Sequence, residues 1–217
     1  MARDSLPESD LPSRLTRAIK RYEAGWEPVD TELYELCRRR PRHDDFADVY
    51  TKVAMIGRVY AAGISRSSKA EGDREAGVAN GLVGLGNTIT DRLAEVDDDH
   101  FERPTFIQIL ELHAHVCQEL LAYTGNTWQQ SFVSPKYLHF HCPTVPIFDS
   151  RAEGAVGRFV HWPTVYDLRR TIKRQRGWPI RYYNFATAFM VLYEQVDAET
   201  DLKPTVKGLD YLLWQPQ

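Results

Sequence analysis

At 217 residues the chain is long enough for one sizeable core. Its formal charge of −3 argues against a protein that coats nucleic acid without regard to site. A hydrophobic fraction of 43% and an aromatic fraction of 12% belong to a globular protein, and no apolar run approaches the ~20 residues that a membrane span needs. Cys37, Cys117 and Cys142 are widely spaced and odd in number, so they read as reduced thiols. With no apolar signal-peptide core at the N-terminus, a cytoplasmic location without a membrane partner is the expectation.

Residues 1–10 are polar and pattern-free and read as a disordered tail, leaving 11–217 as one helical domain. Leu15, Ile19 and Tyr22 line a helix from about Pro12 to Ala24, and Asp30 reads as the N-cap of a second that carries Leu33, Leu36 and Cys37. Phe46 to Tyr60 keeps apolar residues at i, i+3 and i+4 over four turns. After a polar linker from Ile64 to Asp73, residues 75–96 are helical in pattern but interrupted by Gly77, Gly81, Gly84 and Gly86. No strand precedes these glycines and no Lys-Ser/Thr follows them, so close helix packing explains them better than a phosphate loop. Thr105 to Tyr123 is the next helix, closed by Gly125-Asn126. Further helices are expected at 151–160, 164–176, 182–196 and 204–214. Strand periodicity and internal repeats are both missing, and the fold class is all-α.

The stretch from Ser134 to Arg151 is the most informative. Ser134 and Pro135 carry the N-cap and first-turn signals of a short helix, which would place Lys136 at a helix N-terminus. The positive end of the helix dipole and burial among Phe132, Tyr137 and Phe140 would both favour a neutral amine there. A neutral lysine amine can attack a sugar C1′ and form a Schiff base. Val145-Pro146-Ile147-Phe148 then delivers Asp149 to the entry of the next helix, as its N-cap, with Ser150 and Glu153 spaced for a capping box. That carboxylate could stabilise an oxocarbenium-like sugar. The same residues also describe two well-capped helices with no chemistry.

This arrangement, Lys136 followed by a turn and then Val145-Pro146-Ile147-Phe148-Asp149, resembles the active-site segment of the helix-hairpin-helix DNA glycosylase superfamily, especially its 8-oxoguanine-glycosylase-like branch. The C-terminal Thr205 to Trp214 segment is similar to endings of glycosylase-like families. The resemblance covers about residues 104–160 and 182–214. It implies a single compact two-lobed helical domain with a central cleft, and excision of a damaged or modified base with Lys136 as nucleophile and Asp149 as the catalytic carboxylate. It implies no cofactor, no metal and no obligate protein partner. The partner would be double-stranded DNA with a flipped base, stacked on aromatic residues among Trp128, Phe132, Tyr211 and Trp214. Ser134, Ser150 and Arg151, with Arg170, Lys173 and Arg174 of a basic helix along one lip, would hold the DNA backbone. The hairpin glycines of that superfamily do not occur here; Gly125-Asn126 and Thr127 to Ser131 occupy their place.

Two other readings stand beside it. A non-enzymatic nucleic-acid-binding or regulatory protein would use the cations crowded into residues 169–181, interleaved with Tyr166, Trp178, Tyr182 and Tyr183, while Lys136 and Asp149 serve structure. The bland account of that segment is a solvated helix whose aromatics belong to the core. A metal-dependent hydrolase would draw on His113, His115, Cys117, His139, His141 and Cys142; without a CxxC or HxxxH pair, core histidines are the commoner explanation. The role implied by the glycosylase resemblance is genome repair or defence against modified foreign DNA.

Overall fold

The computed structural model describes residues 11–62, 64, 73–124, 127–201 and 203–215, with backbone alone for 124, 127–133 and 199. The expected N-terminal tail, Gly125-Asn126 and most of the expected 64–73 linker lie outside the described residues. Among the described residues the secondary structure is helical without a strand: α1 Leu11–Glu23, α2 Glu27–Arg39, α3 Phe46–Val59, α4 Arg74–Leu85, α5 Asn87–Glu95, α6 Arg103–Thr124, α7 Thr127–His141, α8 Ser150–Val156, α9 Trp162–Thr171, α10 Ile180–Glu199 and α11 Val206–Trp214. No helix among them is long and apolar enough to cross a membrane.

Several boundaries depart from the sequence reading, each for a local reason. α2 begins before Asp30 because Pro28 opens its first turn, so Asp30 becomes a buried helical residue and not a cap. The span 75–96 is two helices, because Gly86 takes φ +50°, a left-handed conformation that ends α4 and starts α5. The glycines before it do serve packing. A Cβ on Gly81 would come within 2.9 Å of Leu120 and one on Gly84 within 2.9 Å of Tyr123, so their bareness lets α4 lie close against α6. α9 stops at Thr171, five residues short of the expected end, and Lys173, Arg174 and Arg176 follow it in non-helical chain. There Gly177 adopts φ +97° and the Ile172 carbonyl accepts the Tyr183 hydroxyl at 2.7 Å.

The largest departure is α7. It starts at Thr127 and runs through Pro135 without a break. Proline has no N–H to give to the carbonyl four residues back, a cost of about 3 kcal/mol in a helix interior. Residues 134–140 are all buried, and a single large apolar side chain taken from water gives roughly 2 kcal/mol. Packing outweighs the local signal.

Packing neighbours fall into two sets. α3, α4, α6 and α7 pack in sequence on one another, with α2 on α3 and α7 and α5 on α6; α1 and α8 pack on α11, and α10 on α8 and α9. Contacts between α1 and α2 and between α6 and α10 join the sets, and residues 142–149 carry the chain from one to the other. The buried apolar side chains from Leu11 to Leu213 form one continuous cluster.

Candidate functional site

Lys136 sits in the second half of α7, not at a helix N-terminus, so the dipole argument for a neutral amine does not apply. Burial takes its place. Lys136 is 4% exposed, and desolvation holds its pKa below the usual lysine value, helped by the charge of Lys207 and opposed by Asp149 and Asp210. Its amine donates to the Tyr60 carbonyl at 2.9 Å and, among the described residues, makes no ion pair with a carboxylate. That carbonyl is available because α3 ends there: Ala61 turns the chain at φ +45°, a region that L-residues rarely occupy, and Ala62 N–H bonds back to Gly57 O at 2.9 Å.

Asp149 caps α8 as the sequence suggests. In extended backbone, its Oδ1 accepts the N–H groups of Arg151 at 2.8 Å and Ala152 at 2.9 Å. The capping box does not form, because Glu153 turns to Arg181 in a bidentate ion pair instead. Asp149 Oδ2 is buried and finds no hydrogen-bond partner among the described residues. The apolar link that delivers it, Val145 to Phe148, is wholly buried, and Phe148 packs against Phe185 with ring centres 5.2 Å apart.

Around this pair the fold assembles further buried polar groups that the sequence reading passed over. Lys207 on α11 donates to the Tyr60 hydroxyl at 2.6 Å and lies 3.0 Å from Asp30 Oδ2 and 3.7 Å from Asp210 Oδ2. The Tyr60 hydroxyl in turn donates to Asp30 Oδ1. Tyr60 therefore joins both lysines, its carbonyl to Lys136 and its hydroxyl to Lys207. The Lys207 amine also lies within 6 Å of the ring centres of Tyr22, Tyr60, Phe140 and Tyr211. Burial, with Asp149 and Asp30 adding and Lys207 and Lys136 opposing, pushes the Asp210 carboxyl up to about 7. Asp30, Tyr60 and Lys136 come from one packing set; Asp149, Lys207 and Asp210 come from the other.

A legible signal marks these missed residues. Asp30, Leu33 and Cys37 occupy one buried stripe of α2, so a carboxylate stands where an apolar residue belongs. On α11, Lys207, Asp210, Tyr211 and Trp214 follow i, i+3, i+4, i+7, placing two charges and two aromatics along one side. Gly208 keeps this helix close to α1, with Ile19 3.5 Å from where its Cβ would be.

Beside Asp149 lies a groove of about 420 Å³ lined by Ser150, Arg151, Gly154, Ala155, Arg158, Leu213, Trp214 and Gln215. Three residues singled out in the sequence, Ser150, Arg151 and Trp214, meet here, and the Arg151 guanidinium stacks 5.0 Å from the Trp214 ring centre. Tyr211, expected in a base pocket, packs instead on Tyr22 with ring centres 4.2 Å apart. The side chains of Trp128 and Phe132 lie outside the described residues. Ser134, expected to contact DNA, is fully buried beside the Cys117 thiol.

The basic segment is not gathered at this groove. Arg170 pairs with Asp167 at 2.7 Å, Arg174 donates to the Trp178 carbonyl at 2.6 Å, and Lys173 is exposed; none of the three lines the groove. Trp178, Tyr182 and Tyr183 belong to the core, whereas Tyr166 is exposed. Of the histidine and cysteine pairs, His113 and Cys117 share a face as expected, 3.5 Å apart, with His113 stacked on Tyr182. His139 is a hydrogen-bonded core residue between Tyr34 and the Val145 carbonyl. Among the described residues no three His, Cys, Asp or Glu side chains are grouped to hold a metal ion. Comparison of the chain with protein-family models, curated proteins and solved structures finds no match.

Proposed function

We propose that the protein is a DNA glycosylase of helix-hairpin-helix type, bifunctional through Lys136, with Asp149 as its catalytic carboxylate and a base-flipped duplex as substrate. One observation carries this reading. Lys136 and Asp149, thirteen residues apart in sequence, lie in each other's electrostatic reach inside one buried cluster, the first without a carboxylate partner and the second with an unused oxygen. An amine without a counter-ion, held below its ordinary pKa, is suited to attack C1′ and to expel the base. An unpaired carboxylate oxygen beside it is suited to the positive charge that develops on the sugar.

The neighbouring groove supports the reading with Arg151 and Arg158 for phosphates and Trp214 for a base. The meeting of the two packing sets at the cluster supports a two-lobed arrangement. Lys136 and Asp149 retain only 4% and 8% exposure, so this reading requires the cluster to open before a flipped nucleotide reaches them. That same burial favours the second reading, a non-enzymatic nucleic-acid-binding or regulatory protein in which the cluster is structural.

Reductive trapping separates the two. A duplex carrying a natural abasic site needs no knowledge of the excised base, and sodium cyanoborohydride fixes any Schiff base formed on it. A covalent adduct that disappears in Lys136→Gln while cooperative unfolding is preserved is the expected result. Salt-sensitive DNA retention with no adduct would establish the second reading instead.

A further inference from the structure

The buried cluster holds more ionisable groups than a lysine nucleophile and one carboxylate require. Asp30, Asp149 and Asp210 are buried together with Lys136 and Lys207, and if all five were ionised one negative charge would stand in excess in a medium that solvates it poorly. Lys207 is committed: it gives a hydrogen bond to Tyr60 and sits closer to Asp30, at 3.0 Å, than to Asp210, at 3.7 Å. Asp149 accepts two backbone N–H groups and Asp30 accepts the Tyr60 hydroxyl. Asp210, 3.7 Å from the Lys207 amine, is therefore the least satisfied of the three carboxylates among the described residues. Its Oδ1 is buried and has no hydrogen-bond partner among the described residues.

Resting on the glycosylase reading above, we propose that Asp210 is a positioning residue of this site, holding one proton jointly with Lys136 and so governing when that amine is free to attack. Moving the proton from the Lys136 ammonium to Asp210 converts an ammonium–carboxylate pair into an amine and a carboxylic acid. The total charge of the cluster is the same before and after, so the step creates no new buried charge. The coupling acts through the field, since Asp210 lies beyond ion-pair distance of Lys136. Every other charged or titratable group facing Asp210 has its place in the count: Lys207 on its own helix, Asp30 from α2, Asp149 from the α8 cap, and the phenols of Tyr22, Tyr34, Tyr60 and Tyr211. Burial and the neighbouring carboxylates hold these four phenols well above their ordinary pKa, so they stay neutral wherever Asp210 titrates. The direction of each shift agrees with a shared proton: Lys136 is moved down and Asp210 up, toward each other.

The test measures the cyanoborohydride trapping rate of the full-length protein on an abasic-site duplex from pH 5 to pH 9. In the wild type the acidic limb spans two coupled ionisations and is shallow. Asp210→Asn removes the competing proton seat and the negative charge that retains the Lys136 proton. Its limb should steepen to one ionisation and move about one pH unit lower, which is about tenfold faster trapping at pH 6. Asp210→Glu should move the limb back toward the wild type, an outcome that a purely structural role would not give. Superposed wild-type and Asp210→Asn profiles, or a limb moved to higher pH, would overturn the proposal while leaving Lys136 as nucleophile. Loss of all Lys136-dependent trapping in the wild type would overturn the glycosylase reading instead. The wild type also reports without any variant. The infrared band of a protonated carboxyl should persist at pH 6, where ordinary carboxylates are ionised, and its absence there would count against the shared proton whatever the DNA chemistry.

Discussion

Lys52 and Lys136 are both buried, on helices α3 and α7 that pack against each other, and their amines do different things. Lys52 donates to two backbone carbonyls, Arg40 at 2.8 Å and Arg42 at 3.0 Å, and lies over the Tyr137 ring. It clamps the chain between α2 and α3. Desolvation first, and Arg40 next in the same sense, push it down to about 8, although Cys37 and Asp48 oppose. Lys136 has one carbonyl partner and lies in the field of Asp149 and Asp210. The difference teaches that a depressed lysine pKa marks burial, and that burial alone does not single out a candidate nucleophile. What separates the two sites is unused bonding capacity beside groups that can receive a proton or face a developing charge.

The comparison breaks most sharply at the amines themselves. Lys136→Gln is expected to reduce trapping by at least about 10³-fold with little change in unfolding. Lys52→Met is expected to do the reverse, leaving trapping at the wild-type rate while the denaturation midpoint falls by the equivalent of about 2 kcal/mol, because two backbone carbonyls lose their charged donor. Equal effects of both substitutions on trapping would erase the distinction.

Asp149→Asn sharpens it next. Asparagine caps a helix nearly as well as aspartate, so α8 should hold, while the loss of the carboxylate charge should slow adduct formation by about 10²-fold. Circular dichroism and trapping on the same sample check both halves.

The pH dependence of stability separates the sites further. Asp210 is raised in the folded protein from 3.8 to about 7. The unfolded chain therefore releases this proton first. The stabilising contribution is complete below about pH 4 and is lost as pH rises through about 7. Relative to Asp210→Asn, the wild type should lose up to about 4 kcal/mol across that window, read from urea midpoints. Parallel curves for the two proteins would show that Asp210 ionises normally. The smallest effect is expected at the groove. Arg151→Ala should weaken DNA binding modestly and lower the slope of log affinity against log salt by about one.

Much of the helical framework was legible from apolar spacing, and so was the capping role of Asp149. Asp149 caps α8 because a short polar side chain after an apolar, extended link meets two free N–H groups, which is a local fact. Lys136 was misplaced for an equally local reason. Ser134-Pro135 carries the signals of a helix start, and seven consecutive buried residues overrode them. The rest of the site was out of reach for a different reason. Asp30 and Lys207 come from opposite ends of the chain, and their meeting depends on α2 and α11 converging on the end of α3. Each can be read singly as a charge on a buried stripe, but no spacing rule pairs them. The basic segment after Val165 misled in the opposite direction: Arg169, Arg174 and Arg181 look like a cationic face, yet they are bonded to Thr187, the Trp178 carbonyl and Glu153.

The most direct measurement is peptide mapping of the adduct formed on an abasic-site duplex in cyanoborohydride. A deoxyribose remnant on Lys136, within the peptide that spans the second half of α7, is the predicted result. A remnant on Lys207 or Lys52, or no covalent adduct under conditions where the duplex is bound, would contradict the assignment of this buried amine as the nucleophile.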